Sequence, residues 1–182
     1  MKHIVLIALV SALAGLCGCS TEKAPAPQQQ VPVMSLSPAD KEKLMTFKKE
    51  LLGVEAITDK AVKLAVDELK NVIKGGGVSI NLTSIIDKAK AECLLAAETL
   101  TNKAVPETLA PELTSLLNEG KTGLIASYKA YAESFDAIKS FIADKNPMAL
   151  LAYRTKYSQA HDLYTAATVR LDNIMTAAGV AR

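Results

Sequence analysis

Hydrophobic residues recur at steps of three and four along most of the chain after residue 37. This spacing places them on one face of a helix, so it predicts amphipathic helices. Capping residues, prolines and glycines mark the helix ends, as in residues 37–40 (Ser-Pro-Ala-Asp) and in the three glycines at 75–77. Four helices are predicted, and they start at Ser37, near Asn81, after Thr108 and Pro111, and at Asn146-Pro147.

The connections between these helices are short, so neighbouring helices should run antiparallel. We therefore predict an all-α fold, an elongated up-down-up-down four-helix bundle. The second helix is the shortest, and Gly53 is a point where the first could bend. The alternative is a three-helix bundle with a split first helix. Alternation of period two is confined to a few residues around Val78 and Ile80, so no sheet is predicted.

The apolar stripe of each helix predicts which residues form the core. In the second helix the stripe includes Cys93 and Leu100, and in the third it includes Leu117 and Leu124. In the first helix the predicted stripe consists of Leu44, Phe47, Leu51, Val54, Ala61, Ala65 and Val72.

The start of the chain has the pattern of an export signal. An uncharged run of apolar and small residues extends from Ile4 to Leu16, directly after a short cationic start. A membrane-spanning helix needs about 20 apolar residues, so this run is too short for one and is typical of a secretory signal peptide. We therefore expect residues 1–18 to be a signal peptide.

The exit from this run, residues 16–19 (Leu-Cys-Gly-Cys), resembles the lipobox of bacterial lipoproteins. An aliphatic residue stands three positions before Cys19 and a small one directly before it, whereas Cys17 follows Leu16, where the pattern needs a small residue. The resemblance implies a diacylglycerol on the sulfur of Cys19, removal of residues 1–18 and acylation of the new amino group. It implies a lipid-anchored protein of the bacterial cell envelope. Because Ser20 rather than Asp follows the cysteine, it favours the outer membrane in a Gram-negative cell.

Residues 19–37 contain the expected lipidated cysteine and a tether rich in Pro and Gln. A segment of this composition cannot bury enough apolar surface to form a packed core. It tends to extended polyproline II structure, which would hold the body of the protein away from the bilayer. The chain therefore divides into a signal peptide, this tether and a helical bundle domain at residues 38–182.

Charge and cysteine content exclude several classes of function. The whole chain carries a net charge of +2, and its basic residues are interleaved with acidic ones, as in residues 40–50. This pattern argues against a nucleic-acid partner. After cleavage and lipidation Cys93 would be the only thiol left, so no internal disulfide can form. It falls on the core side of the second helix, which favours a buried, inert thiol over a redox or intermolecular role.

No motif for catalysis, a metal or a cofactor is found after residue 19. His161 has Ser158 three residues before it, so the Glu-x-x-His motif of di-iron bundles is absent, and no zinc ligand set accompanies it. The three glycines at 75–77 follow a helix, not a strand, so they indicate a helix end. No carboxylate stands where the core pattern predicts burial that could raise its pKa. We therefore predict a protein that is not an enzyme and holds no cofactor and no metal.

All five tyrosines lie between residues 128 and 164. If the third and fourth helices form a hairpin about residues 144–147, residues whose numbers sum to about 291 face each other. The hairpin then forms an aromatic belt, made of Tyr128, Tyr131, Tyr153, Tyr157, His161 and Tyr164. Core packing is the favoured interpretation of this belt. A groove for an amphiphilic or aromatic ligand and a partner-binding face are the alternatives.

These observations favour a lipid-anchored module that binds a protein or cell-envelope partner and attaches to the bilayer through Cys19. The alternative is a carrier or chaperone for an apolar or amphiphilic ligand held between the helices. A carrier needs a cavity, which small residues at Gly120, Gly123 and Ser127 could create, although they could equally allow close helix packing. A filled core with an exposed apolar patch would favour the binding module.

Overall fold

The structure is a computed structural model that describes residues 35–74 and 80–180, all within one unit, Val31–Arg182. The predicted signal peptide, Cys19 and most of the predicted tether lie outside the described residues, as do the glycines at 75–77. The described helices are α1 (Pro38–Ile73), α2 (Leu82–Asn102), α3 (Pro111–Asp144) and α4 (Pro147–Ala177).

Local capping explains where α1 and α4 begin. The Ser37 hydroxyl oxygen accepts a hydrogen bond from the backbone N–H of Asp40 at 3.1 Å, and the side-chain oxygen of Asn146 accepts one from the N–H of Met148 at 2.9 Å. Each cap satisfies a backbone donor that the first turn of a helix leaves free. Both predicted starts are confirmed.

The link between α3 and α4 is a tight reversal. Lys145 adopts a left-handed conformation with φ of 54°, and its N–H donates to the carbonyl of Phe141 at 2.8 Å. Only Lys145 and Asn146 separate the two helices. A connection this short makes α3 and α4 antiparallel neighbours, as a hairpin about residues 144–147 requires.

Helices that are adjacent in sequence pack against each other: α1 on α2, α2 on α3, and α3 on α4, with the most extensive packing between α3 and α4. The protein is an all-α four-helix bundle, as predicted, and no strand occurs in the described ranges. The alternative with a split first helix is wrong, because α1 is continuous from Pro38 to Ile73. Helix α2 is the shortest, at 21 residues.

The buried face of α1 differs from the predicted stripe. Val54, Ala61 and Val72 are only partly buried. The side chains that α1 does bury are those of Leu44, Phe47, Leu51, Thr58, Val62, Ala65 and Leu69. These residues keep one helical face towards the core, whereas Val54, Ala61 and Val72 of the predicted stripe lie beside that face. Thr58 is tolerated on the buried face because its hydroxyl donates to the carbonyl of Val54 at 2.9 Å.

Helices α3 and α4 approach closely at two glycines. A Cβ atom added at Gly120 would lie 2.7 Å from the side chain of Leu171, and one added at Gly123 would lie 2.9 Å from the Cβ of Ala167. The space beside each glycine is already occupied. Gly120 and Gly123 therefore allow close helix packing and do not create a cavity. Ser127, the third small residue, is buried and donates its hydroxyl to the carbonyl of Leu124.

In the part of the chain that the structure describes, the four helices lack an apolar stretch of the length that a membrane span requires.

Candidate functional site

The predicted aromatic belt is present along the α3–α4 hairpin. The ring centroids of Tyr128 and Tyr164 are 6.2 Å apart, those of Tyr131 and Tyr157 are 5.2 Å apart, and those of Tyr153 and Tyr157 are 5.7 Å apart. The rings are tilted or edge-on to one another, which is the geometry that aromatic pairs prefer. The hairpin thus brings all five tyrosines together.

The burial of the tyrosines decreases along the belt from the interior of the bundle to its surface. Tyr128, Tyr131 and Tyr153 are buried, and Tyr157 and Tyr164 are partly buried. Burial raises the pKa of all five hydroxyls, so each stays neutral and can donate a hydrogen bond. The buried rings pack the core, and only the outer two tyrosines leave ring surface that a ligand or partner could contact.

His161 lies at the exposed edge of the belt, where its Nδ1 is 3.4 Å from the hydroxyl of Tyr131. No group of three or more metal-ligating side chains gathers anywhere in residues 35–74 and 80–180. A lone imidazole beside a buried phenol can accept or donate one hydrogen bond, which orients the Tyr131 ring.

Cys93 is fully buried on α2 and is a free thiol. Burial, with smaller contributions from Asp59 and Glu92, raises the pKa of its thiol to about 12. A thiol with so high a pKa carries almost no thiolate at neutral pH, and the thiolate is the reactive form. This environment supports the prediction of an inert core cysteine.

The expectation that no carboxylate would be desolvated is wrong for Glu55. This α1 side chain is partly buried, and burial, with the nearby charges of Asp59 and Asp172, raises its pKa from 4.5 to about 7. The pKa of Asp59 is also raised by burial, although a hydrogen bond from the Tyr164 hydroxyl at 3.4 Å opposes that rise. Acidic groups of α1 therefore meet the outer end of the aromatic belt.

The spacing of the buried residues on α1 indicates that position 55 faces the core, although the pattern of hydrophobic residues alone does not. The buried residues Leu51, Thr58 and Val62 are spaced at seven and then four residues, and position 55 fills the missing step of four and three. Glu55 therefore occupies a position in the core register of α1. The pattern of apolar residues selects its neighbour Val54 instead, because valine is hydrophobic and glutamate is not.

An open apolar groove runs between α1 and α2 on the outside of the bundle. It consists of two adjoining pockets of about 380 Å³ and about 460 Å³ that share Ile57 and Glu92. Three large apolar side chains remain strongly exposed there: Ile57 at 62%, Leu95 at 56% and Leu64 at 51%. We call this surface the α1–α2 groove.

Charged groups of both signs line the α1–α2 groove. At one end Lys103, the residue directly after α2, forms an ion pair with Glu50 on α1 at 3.1 Å. Lys60, Lys88 and Glu92 line the remainder. The groove thus has an apolar floor and a charged rim, the arrangement found in protein–protein interfaces.

A cavity of about 240 Å³ opens on the other side of the α1 core stripe, between α1 and α4. Its walls combine apolar side chains with the desolvated carboxylate of Glu55 and the partly buried ring of Tyr164. We call this space the α1–α4 cavity.

Comparison with known proteins gives no relative from which a function could be transferred: no family model, no curated protein and no solved structure matches the chain. Apart from the lipobox resemblance at its start, no family is recognised for this chain.

Proposed function

We propose that this protein is a lipid-anchored lipoprotein of the bacterial cell envelope whose helical bundle binds a protein partner and performs no chemistry. The lipobox at residues 16–19 supports the anchor at Cys19, and the Pro- and Gln-rich tether supports a role at a distance from the bilayer. The export signal, and Ser20 in place of an inner-membrane Asp after Cys19, favour the outer membrane of a Gram-negative cell.

The observation that carries the binding role is the α1–α2 groove. Ile57 and Leu64 are seven residues apart on α1, so they lie on one face of the helix two turns apart. Helix α2 contributes Leu95 to the same surface. Burying such side chains contributes about 25 cal/mol for each Å² of apolar area removed from water, which favours association over exposure.

The occupant that fits this groove best is an amphipathic helix of another envelope protein. The lining residues of α1 run from Glu50 to Leu64, which corresponds to about 21 Å at the helical rise of about 1.5 Å per residue. A partner helix of about four turns would cover that length. Its apolar face would meet Ile57 and Leu95, and its flanking charges would meet the mixed rim formed by Lys60, Lys88 and Glu92.

The carrier function is the second candidate, and the packing supports it less. A carrier would hold an apolar ligand between the helices, in space that Gly120 and Gly123 were expected to provide. The side chains of Leu171 and Ala167 fill that space. The α1–α4 cavity, at about 240 Å³, is smaller than the roughly 300–1,000 Å³ of ordinary ligand pockets, whereas the two pockets of the α1–α2 groove measure about 380 Å³ and about 460 Å³, so we favour the binding module.

The groove is tested by site-specific crosslinking in the native envelope. A photo-crosslinking amino acid at Leu64 should attach to an amphipathic helix of one partner, and the same amino acid at the exposed Leu151 of α4 should not. Ile57→Glu should abolish co-purification of that partner, and Leu151→Glu should retain it. Both substitutions are at exposed positions, so the fold tolerates them. Equal crosslinking at both positions, or a partner retained by Ile57→Glu, would contradict the proposal that the partner binds in the α1–α2 groove.

The anchor is tested separately by mass spectrometry of the protein from its host. We expect a mature chain that begins at Cys19 and carries the mass of its acyl chains. Cys19→Ser should leave the signal peptide uncleaved and the protein unlipidated. A mature terminus at another residue, without added lipid, would refute the anchor and the localisation with it.

A further inference from the structure

The solvent-facing side of α1 has an apolar strip beside the α1–α2 groove. Met45, Leu52 and Ala56 are exposed there, Met45 at 58% and Leu52 at 51%. Each residue advances about 100° around a helix, so these three side chains point within about 40° of one another. Ile57 and Leu64 of the groove point about 110° away from the middle of this strip. The strip is therefore a separate surface of the same helix.

Lysines border the strip. Lys49 and Lys60 flank it on the side of the groove. Lys41 flanks it on the other side, and Lys63 continues it towards the end of α1. Within residues 35–74 and 80–180 no ion pair involves Lys49, Lys60 or Lys63. Lys48 has a partner of its own and is not counted. We call the strip and its four lysines the outer face of α1.

The outer face of α1 has a surplus of positive charge. Its four lysines are accompanied by two carboxylates, those of Glu42 and Asp59, and the second accepts a hydrogen bond from the Tyr164 hydroxyl. Helix α3 has the reverse balance, with five carboxylates and three lysines. A negatively charged surface would therefore attract the bundle with α1 towards it and α3 away from it.

An apolar strip bordered by lysines is the pattern of a helix that lies on an anionic bilayer. The apolar side chains of such a helix enter the headgroup region, while the long lysine side chains reach the lipid phosphates beside it. A partner helix fits this surface less well. It packs best in a groove between two helices, whereas the strip follows the crest of a single one.

The anchor keeps this face within reach of a bilayer, and at this step the inference rests on the proposed function. Residues 20–36 join Cys19 to the N-cap of α1, and at about 3.1 Å per residue they span no more than about 50 Å. A tether of this length keeps the tethered face at a roughly millimolar effective concentration, so a weak attraction is enough for contact. The bundle therefore has two positions, one held away from the bilayer by the extended tether and one on the bilayer.

We propose that the outer face of α1 docks on the anionic lipid surface of the bilayer that holds the acyl chains of Cys19. Met45 and Leu52 then enter the headgroup region, and Lys49 and Lys63 lie beside the lipid phosphates. Docking is reversible, because each lysine near such a surface raises the affinity only about fivefold, and salt weakens this attraction. The α1–α2 groove lies at the side of the docked helix, where a partner can still reach it.

The test follows a fluorescent label on the mature lipoprotein, purified from its host and placed in vesicles. Met45→Cys is labelled with an environment-sensitive dye, and Leu151→Cys, an exposed apolar position on α4, is the matched control. Cys93 is buried, so its thiol does not react with the dye.

Acrylamide quenching reports how far each label is exposed to water. On vesicles with about 30% phosphatidylglycerol, the Met45 label should be quenched at least about threefold less than on pure phosphatidylcholine vesicles. The Leu151 label should be quenched equally on both. Equal quenching of the Met45 label on both kinds of vesicle would mean that no anionic bilayer covers it, and would overturn the proposal. Equal protection of both labels would overturn it as well.

Lys49→Gln combined with Lys63→Gln isolates the role of charge. Both lysines are exposed and neither lines the α1–α2 groove, so the fold and the groove should be unchanged. Loss of two lysines should weaken docking about twenty-five-fold, so the Met45 label should be quenched as on phosphatidylcholine vesicles. The matched pair, Lys129→Gln with Lys145→Gln, removes the same charge from exposed positions elsewhere and should keep the protection. Protection retained without Lys49 and Lys63 would contradict docking by charge.

Flotation separates a failure of docking from a failure of the anchor. The acyl chains should hold the protein on vesicles of either composition. In about 1 M NaCl, where the Debye length is about 3 Å, the protection of the Met45 label should disappear while the protein still floats. A protein that floats on anionic vesicles at low salt with an unprotected Met45 label refutes docking alone. A protein that does not float on phosphatidylcholine vesicles refutes the anchor, and docking with it.

Discussion

Helices α3 and α4 pack so closely that two glycines have no room for a methyl group, whereas α1 leaves a groove on one side of its core stripe and a cavity on the other. The hairpin also contains the aromatic belt, and α1 contains the desolvated carboxylate and several exposed apolar side chains. One half of the bundle has thus been packed for stability. The other leaves apolar surface and a desolvated charge that folding alone does not require, and it is on this surface that we propose a binding role.

The largest difference in stability should appear when a large apolar side chain is replaced by alanine in each region. Phe135 on α3 is fully buried, so Phe135→Ala should lower the free energy of unfolding by about 3–5 kcal/mol. Leu52 on α1 is 51% exposed, and Leu52→Ala should change it by no more than about 0.5 kcal/mol. Urea denaturation measures both values. Similar losses at the two positions would mean that the faces of α1 are covered in solution.

One substitution should have opposite signs in the two regions. In Gly123→Ala the new methyl group would meet the short side chain of Ala167, which cannot rotate away, so the helices must separate and stability should fall by about 1–3 kcal/mol. Gly53→Ala on α1 meets nothing within 4 Å and should gain about 0.5–1 kcal/mol from the better helix propensity of alanine. Thermal unfolding of both variants checks this contrast. A gain in both would show that the hairpin can relax.

Glu55 should make the stability of the protein depend on pH. Its pKa is about 7 in the folded protein and 4.5 as the ordinary value, so between these values the native state binds the extra proton. The free energy of unfolding should therefore fall as pH rises from about 5 to 7 and stay lower above. Glu55→Gln removes this loss. At pH 8 its free energy of unfolding should exceed that of the wild type by about 1 kcal/mol, after allowance for solvent screening, and at pH 5 the difference should be smaller.

The control for this measurement is Glu98→Gln, which replaces an exposed carboxylate on α2. Urea denaturation at both pH values measures the effect. If the difference between Glu55→Gln and the wild type is the same at pH 5 and pH 8, the Glu55 carboxylate is ionised throughout this range and the desolvation of the α1–α4 cavity is refuted.

Periodicity predicted most of this fold from the sequence. The capping residues Ser37 and Asn146 and the proline after each determine local hydrogen bonds, so the starts of α1 and α4 could be read directly. The hairpin between α3 and α4 followed from a short link, and the meeting of Tyr128 and Tyr164 followed from the hairpin. These features depend on residues that are neighbours in sequence, or on the pairing of two consecutive helices.

The candidate sites could not be predicted in the same way. Glu55 and Thr58 occupy the core register of α1, but a pattern of apolar residues passes over polar ones and selects Val54 and Ala61. Whether α4 packs tightly on α1 depends on the crossing of two helices distant in sequence. The cavity arises from that packing and the groove from the packing of α1 on α2, so both appear only in three dimensions.

The smallest effects should come from the ion pairs, which occur in both regions alike. Lys156 on α4 lies 2.6 Å from Glu133 on α3, and Lys103 lies 3.1 Å from Glu50 on α1. Exposed pairs of this kind contribute about 0.2–1 kcal/mol, and salt screens them. Double-mutant cycles on each pair should therefore give similar small coupling energies that vanish in 1 M NaCl, a salt concentration at which the Debye length is about 3 Å. A coupling several times larger for Lys156 and Glu133 would mean that charge, and not the close packing at Gly123, makes the hairpin the more stable half.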